Sequence, residues 1–364
     1  MKRLNWLIAF TTLTIIFLLI VVLLNFYIDT YGIRTSLFSM DKKVGQMKFM
    51  QGINERIFNL EYIFRYPNRF DSFLFGSSRT GIINVGKISS NNFYNMSYNG
   101  GIPSDHLMII KAFLRKKIKI KLVVIGLDEF SFSRTPIENE SLLLRQMHPY
   151  ITGKSLAKIF HMYYFRMPQL FELADLKDKL LSNEQYRFIL DKNGTNLGWM
   201  NIEKKIIVSG KPNYVDKDII YAPFKYNEAM IAEVFSQIEE LINLSKKHNF
   251  RLIFFFNPIR GPEYLNYALD LISIKERLAA VTDFYDFSGF NSMTTNNINY
   301  LDNSHYRYFI GDIIIGRIFN SKNIPMPYDF RVLVTQNNVN EHIKKQKLEL
   351  EKFLKTIKDK KEKS

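Results

Sequence analysis

Residues 6 to 28 form an almost unbroken apolar run, interrupted by Thr11, Thr12, Thr14 and Asn25. About 20 such residues, as a helix, cross the hydrocarbon of a bilayer, where every backbone polar group must find its partner inside the segment. No other feature restricts the chain so strongly. A cleavable signal peptide has a shorter apolar core followed by small residues, and Leu23, Leu24, Asn25, Phe26 and Tyr27 supply neither. The stretch is therefore read as an uncleaved transmembrane anchor with the bilayer as its partner. Lys2 and Arg3 precede it, Arg34, Lys42 and Lys43 follow it, and most of the 364 residues lie beyond. The short leading tail and long following domain predict a single-pass protein of the inner (cytoplasmic) membrane. Its N-terminus is then cytoplasmic and its main domain periplasmic or extracellular.

With 46% hydrophobic residues the remainder can bury a substantial core. There is no cysteine, which removes disulfides, thiolate metal sites and a cysteine nucleophile. The six histidines show no metal-ligand spacing, and neither a phosphate-binding loop nor a dinucleotide fingerprint follows a strand. The formal charge of +15 comes without a nucleic-acid-binding motif. Abundant Lys, Ile, Asn, Phe and Tyr account for it as codon drift, and no nucleic-acid partner is expected.

Residues 29 to 70 carry Ile53, Ile57, Leu60 and Phe64 at helical spacing and read as a juxtamembrane helical segment. Then comes FLFGSSRT, residues 73 to 80. Three bulky apolar residues fit a buried strand, and Gly76 lets the chain turn sharply. A helix starting near Arg79 would put Ser77 and Ser78 at its N-terminus, either as caps or as the seat of a nucleophile facing unpaired N–H groups. A short strand at 93 to 96, a Gly100-Gly101 turn, a basic amphipathic helix at 106 to 117 and the strand KLVVIGL at 121 to 127 come next. Strand and helix thus alternate, as in a doubly wound sheet.

From about 133 to 222 the pattern weakens and aromatics gather, among them Phe160, Tyr163, Tyr164, Tyr186 and Trp199. This is read as an insertion packed over the sheet or beside the membrane, a helical subdomain whose aromatics form ordinary core in preference to a substrate groove. A long helix at 226 to 249, strands at 251 to 256 and 281 to 287, and a helix at 308 to 319 complete the domain, assigned to residues 71 to 340. Pro325 and Pro327 mark irregular chain. Residues 341 to 364, rich in Lys, read as a charged helix or frayed tail, and as a solvated terminus in either form. Just before the 308 to 319 helix, Asp302 and His305 stand three apart. A tight turn brings them to one face, where the carboxylate can accept from imidazole Nδ1–H and leave Nε2 as a base.

A serine ending the first strand, a glycine turn after the second, and Asp-x-x-His before the last helix occur in the order used by the SGNH, or GDSL, esterases. The chain resembles that family over roughly 71 to 128 and 250 to 320. The resemblance implies a flavodoxin-like, three-layer α/β/α domain with a mainly parallel sheet, here carrying a mid-chain insertion and an N-terminal transmembrane helix. It implies that Ser78 is the nucleophile, with Ser77 in place of the usual Asp. It further implies that Asp302 and His305 complete the triad, that the N–H groups of Ser78 and Gly100 form the oxyanion hole, and that no cofactor or metal takes part.

The third block departs from the family pattern: where an Asn is usual, the chain reads IGLDEF, with Asp128 and Glu129. One oxyanion donor is thus absent, worth roughly 3 kcal/mol of transition-state stabilisation. Weak hydrolysis, a replacement donor such as Asn99 or Arg79, or a group supplied by a partner would each fit. The anchor and the GSS block are similar to the membrane-tethered branch of the family, in which such proteins work beside a multispanning acyltransferase. That implies an acyl donor and an envelope polysaccharide or other hydroxyl acceptor as partners. The competing expectation is a catalytically silent module that binds an envelope glycan and scaffolds the acyltransferase.

Overall fold

The structure, a computed structural model, describes residues 2–38, 46–49, 52–133, 143–181, 188–212, 226–320 and 327–361. Lys42, Lys43, Tyr186, Pro325 and the parts of the expected insertion at 134–142, 182–187 and 213–222 lie outside them. The strands are β1 (Gln46–Phe49), β2 (Ser72–Phe75), β3 (Phe93–Asn95), β4 (Leu122–Leu127), β5 (Phe188–Asp191), β6 (Arg251–Phe256), β7 (Phe284–Asp286) and β8 (Val332–Val334). The chain divides into two compact units: Met1–Arg65 with Glu138–Lys192, and Tyr66–Ile137 with Asn193–Ser364. The expected boundaries differ. Only part of the stretch from 133 to 222 joins the N-terminal segment, and residues 193 to 212 belong with the sheet.

The first unit contains an apolar helix, Lys2–Ile28, of which Arg3–Ile28 is long and apolar enough to cross a membrane. Asn25, the polar residue near its end, donates to the carbonyls of Tyr164 and Arg166 at 2.9 and 2.7 Å. The Glu55–Arg65 helix forms where the spacing predicts it. Ile33, Ile57, Ile159, Tyr163 and Tyr164 make a small core, so this group of aromatics is packing, as expected. The antiparallel β1–β5 pair has no counterpart in the sequence reading.

The second unit is α/β, with a mixed six-stranded sheet in the order β3-β2-β4-β6-β7-β8. All neighbours are parallel except the β7–β8 pair. The sheet grows outward from β2 in both directions, so the order reverses between β2 and β4. Side chains alternate between the faces. Leu74, Leu122, Val124 and Phe255 pack with the Tyr308–Ile318 helix on one face. On the other, Phe73 and Phe75 meet Phe113 of the Pro103–Arg115 helix, with ring centroids 4.8 and 6.4 Å apart.

The C-terminal segment corrects the expectation of a solvated tail. It is a helix, Val339–Lys361, with His342, Ile343, Gln346 and Leu350 buried. It is drawn in by a charged core. Lys275, fully buried, lies 2.8 Å from Asp286 at the end of β7. His342 Nε2 and Gln346 Nε2 reach the same Asp286 oxygen at 2.8 and 3.0 Å.

Candidate active site

Three strands end side by side, and their C-terminal edges supply most of the site: β2 runs into Gly76 to Thr80, β4 into Asp128 and Glu129, and β6 into Asn257. At Gly76 a Cβ would come 2.3 Å from Thr80 Oγ1, so only glycine lets the chain fold back here. In place of the expected helix, the chain then makes a three-residue 3₁₀ turn, Thr80–Ile82. A side chain replaces the helical hydrogen bonds. Asn95 Nδ2, from β3, faces the carbonyls of Thr80, Gly81 and Ile83 at 3.0, 3.3 and 3.1 Å. With so short a turn, a helix dipole contributes little at Ser78.

Ser77 and Ser78 take different parts. Ser77 is buried, and its hydroxyl accepts from the Arg79 N–H at 3.2 Å. Ser78 is half-buried, and its Oγ lies 2.9 Å from His305 Nε2. His305 Nδ1 lies 2.9 Å from Asp302 Oδ2, while Asp302 Oδ1 accepts from the N–H groups of Ser304 and His305, each at 2.7 Å. Burial alone would raise the Asp302 carboxyl. The His305 contact and these backbone bonds outweigh it and hold the carboxyl below its usual range. An ionised Asp302 can only accept, so the imidazole proton belongs on Nδ1 and Nε2 is free to accept from Ser78.

The Gly100 loop is held against the turn. Tyr98 N–H donates to the Gly76 carbonyl at 3.2 Å, and a Cβ on Gly101 would lie 2.3 Å from that oxygen. Tyr98 OH is anchored 2.6 Å from His106 Nδ1. Gly100 takes a φ of 62° in the turn. Among the described residues, neither the Ser78 nor the Gly100 N–H has an acceptor. Asn99 is exposed on the same loop.

Arg79 and Asp128, the other two candidates, belong to a buried ion cluster. Arg79 Nη1 donates to Asp128 at 2.9 Å and also to Glu129, Nη2 donates to Glu129 at 2.8 Å, and Nε donates to the Ser304 carbonyl at 3.0 Å. Burial works against the guanidinium charge, but Glu129 and Asp128 overcome it and leave Arg79 more firmly protonated than usual. Burial, assisted by the Glu129 charge, raises the Asp128 carboxyl despite Arg79. Asn257 Nδ2 lies 3.1 Å from both Asp128 Oδ1 and Thr80 Oγ1, and its own Oδ1 accepts from Tyr306 OH at 3.0 Å.

Sequence reasoning misses three contributors. Asn257 and Tyr306 are not among its candidates. Trp199 groups with core aromatics, yet its ring lies 4.9 Å from the His305 ring, centroid to centroid, and tilted 31°. Four residues on, Glu203 pairs with Arg307 at 3.1 Å, stitching the Trp199 segment to the His305 loop. The lone clue is that Trp199 is one of two tryptophans and the one outside the apolar run. No protein-family model and no curated protein matches the chain.

Proposed function

We propose that the chain is a membrane-tethered serine acyl-esterase or acyltransferase of SGNH type, acting on an ester of a cell-envelope polysaccharide or a related hydroxyl compound. The observation that carries this reading is the relay Ser78 Oγ, His305 Nε2, His305 Nδ1, Asp302, with 2.9 Å at each contact. The sheet order supports it as well. Without the antiparallel edge it is 2-1-3-4-5, the flavodoxin-like arrangement, and the relay sits where such sheets bind ligands, outside the strand C-termini beside the order reversal.

In this mechanism His305 Nε2 takes the Ser78 proton as Oγ attacks the ester carbonyl carbon. The negative charge gathers on the former carbonyl oxygen, which the N–H groups of Ser78 and Gly100 receive. Collapse breaks the ester C–O bond, and His305 returns its proton to the departing alcohol. Water or a second hydroxyl then attacks the acyl-serine by the same route. Transfer replaces hydrolysis where an acceptor hydroxyl displaces water, and a multispanning acyltransferase is the partner proposed to deliver the acyl donor.

The second reading, a silent glycan-binding module, draws on one observation: where the family supplies an amide donor, the chain has Asp128 and Glu129 bound up with Arg79. A fluorophosphonate probe separates the two. Full-length protein in detergent is treated with probe, and the adduct is located by peptide mass. Labelling at Ser78 that disappears in His305→Ala supports the enzyme; an unlabelled protein, beside a labelled control esterase, sinks it.

A further inference from the structure

The Leu170–Leu180 helix is built inside out. Glu172 and Asp175 point inward, 1% and 4% exposed, whereas Leu170, Leu173, Leu180 and Leu181 stand outward at 86%, 42%, 69% and 65%. In water this inverts the usual order, since leucine faces the core and unpaired carboxylates avoid it. Glu172 is compensated. It pairs bidentately with Arg166, with 2.8 Å for one of the two bonds, and accepts from the Gln169 N–H at 2.7 Å. The outward positions 170, 173, 177, 180 and 181 fall on one face of the helical run, leucine at all of them but Lys177 in its middle, so the leucines share one stripe that a single lysine interrupts.

The level of this stripe is set by contacts within the same unit. At one end, the Tyr164 and Arg166 carbonyls accept from Asn25 of the apolar helix. At the other, Lys179 Nζ donates to the Ile28 carbonyl at 2.6 Å. Both ends are therefore tied to the last turn of the Lys2–Ile28 helix. If hydrocarbon begins near Trp6, about 20 residues bring its far boundary to about residue 25. The stripe then lies where acyl chains meet headgroups. Phe165 and Met167, in the link from the preceding Leu156–Tyr164 helix, are also largely exposed at this level. Lys158 is exposed nearby and Lys177 stands within the stripe itself, as expected of side chains reaching from an apolar level to phosphate.

We propose that the Leu156–Tyr164 and Leu170–Leu180 helices form a collar around the end of the spanning helix, with the Leu170-to-Leu181 stripe immersed in the acyl–headgroup boundary of the bilayer. The occupant of this face is lipid. Its continuity with the apolar surface of the Lys2–Ile28 helix, which the proposal takes to span the membrane, distinguishes it from a protein-docking patch. Two points of attachment would fix the unit's tilt on the membrane, which a single helix leaves free to swivel.

The chain contains no cysteine. Leu170→Cys, Leu173→Cys, Leu181→Cys and, as the spanning reference, Leu23→Cys can each carry an NBD fluorophore in the full-length protein. The labelled proteins go into nanodiscs of phosphatidylcholine and phosphatidylglycerol. They are quenched by lipid bearing a nitroxide high on the acyl chain, or by iodide in the water. A nitroxide effect of about two-fold or more at 170, 173 and 181, with little response to iodide, is expected for side chains at the interface. Iodide quenching at these sites with Leu23→Cys still quenched by nitroxide overturns the collar and leaves the spanning helix intact. Loss of nitroxide quenching at Leu23→Cys as well overturns both. Shielding of the collar sites from both quenchers overturns the lipid assignment in favour of a protein contact, such as a second copy of the chain.

Discussion

Arg79, next after Ser78 in the chain, grips Ser304, which precedes His305: its Nε donates to the Ser304 carbonyl at 3.0 Å and lies 3.1 Å from the Ser304 hydroxyl. The same guanidinium pairs with both Asp128 and Glu129, so one side chain joins the β2 turn, the end of β4 and the His305 loop. Arg79→Met leaves two buried carboxylates without a cation, at a cost of roughly 3–5 kcal/mol. Urea unfolding in detergent, monitored by circular dichroism, should show the midpoint move down accordingly. An unchanged midpoint would mean that the cluster contributes nothing to holding the loops together.

The relay makes a kinetic prediction. Ser78→Ala, His305→Ala and Asp302→Asn should each lower hydrolysis of an activated acetyl ester by about 10³-fold or more. The Ser78→Ala, His305→Ala double variant should be no worse than either single, because the residues act as a unit. Multiplying losses would show two independent contributions and argue against the relay.

Gly101 should be sensitive without touching substrate. A Cβ there meets the Gly76 carbonyl at 2.3 Å, backbone against backbone, so Gly101→Ala must push the Gly100 loop away from Ser78. Loss of one oxyanion N–H corresponds to about 10²–10³ in rate, whereas overpacking of this size costs only about 1–3 kcal/mol of stability. The variant should stay folded and turn over slowly. A rate near wild type would remove Gly100 from the proposed oxyanion hole.

Acid should loosen the C-terminal helix. Burial pulls the Asp286 carboxyl up, but Lys275 and His342 outweigh it and set it far below the usual range. Its stabilisation is therefore complete above the ordinary carboxyl pKa of about 4 and is lost as pH falls below that value. Lys275 is shifted up, since Asp286 more than offsets its burial, so its share persists up to about pH 10 and declines above. Urea midpoints measured from pH 3 to pH 7 should fall at the acid end, and Asp286→Asn should flatten that fall while lowering the plateau. Identical acid profiles for the two proteins would assign the effect elsewhere.

The features legible in the sequence are the local ones. Residues 73 to 75, 122 to 127 and 251 to 256 announce buried strands by bulk alone, and Asp302 and His305 meet because three residues of tight turn suffice. The rest depends on distant partners. The turn after Ser78 looks like a helix start until Asn95 arrives from β3 to hold its carbonyls. Trp199 has no local pattern that places it against His305. The Val339–Lys361 helix looks solvated because its inward face carries His342 and Gln346, polar residues that are buried only because Lys275 and Asp286 are already there. In the Leu170–Leu180 helix the apolar stripe is visible in the letters, but not that it faces outward.

The interleaving of the two units has a consequence for synthesis. The first unit is complete once Lys192 has been made, whereas β6, on which β4 lies, and His305 come later along the chain. A nascent chain thus holds its one helix long and apolar enough, among the described residues, to cross a membrane before it owns the imidazole proposed to activate Ser78. On the proposed chemistry, Ser78 has no base until translation has passed His305.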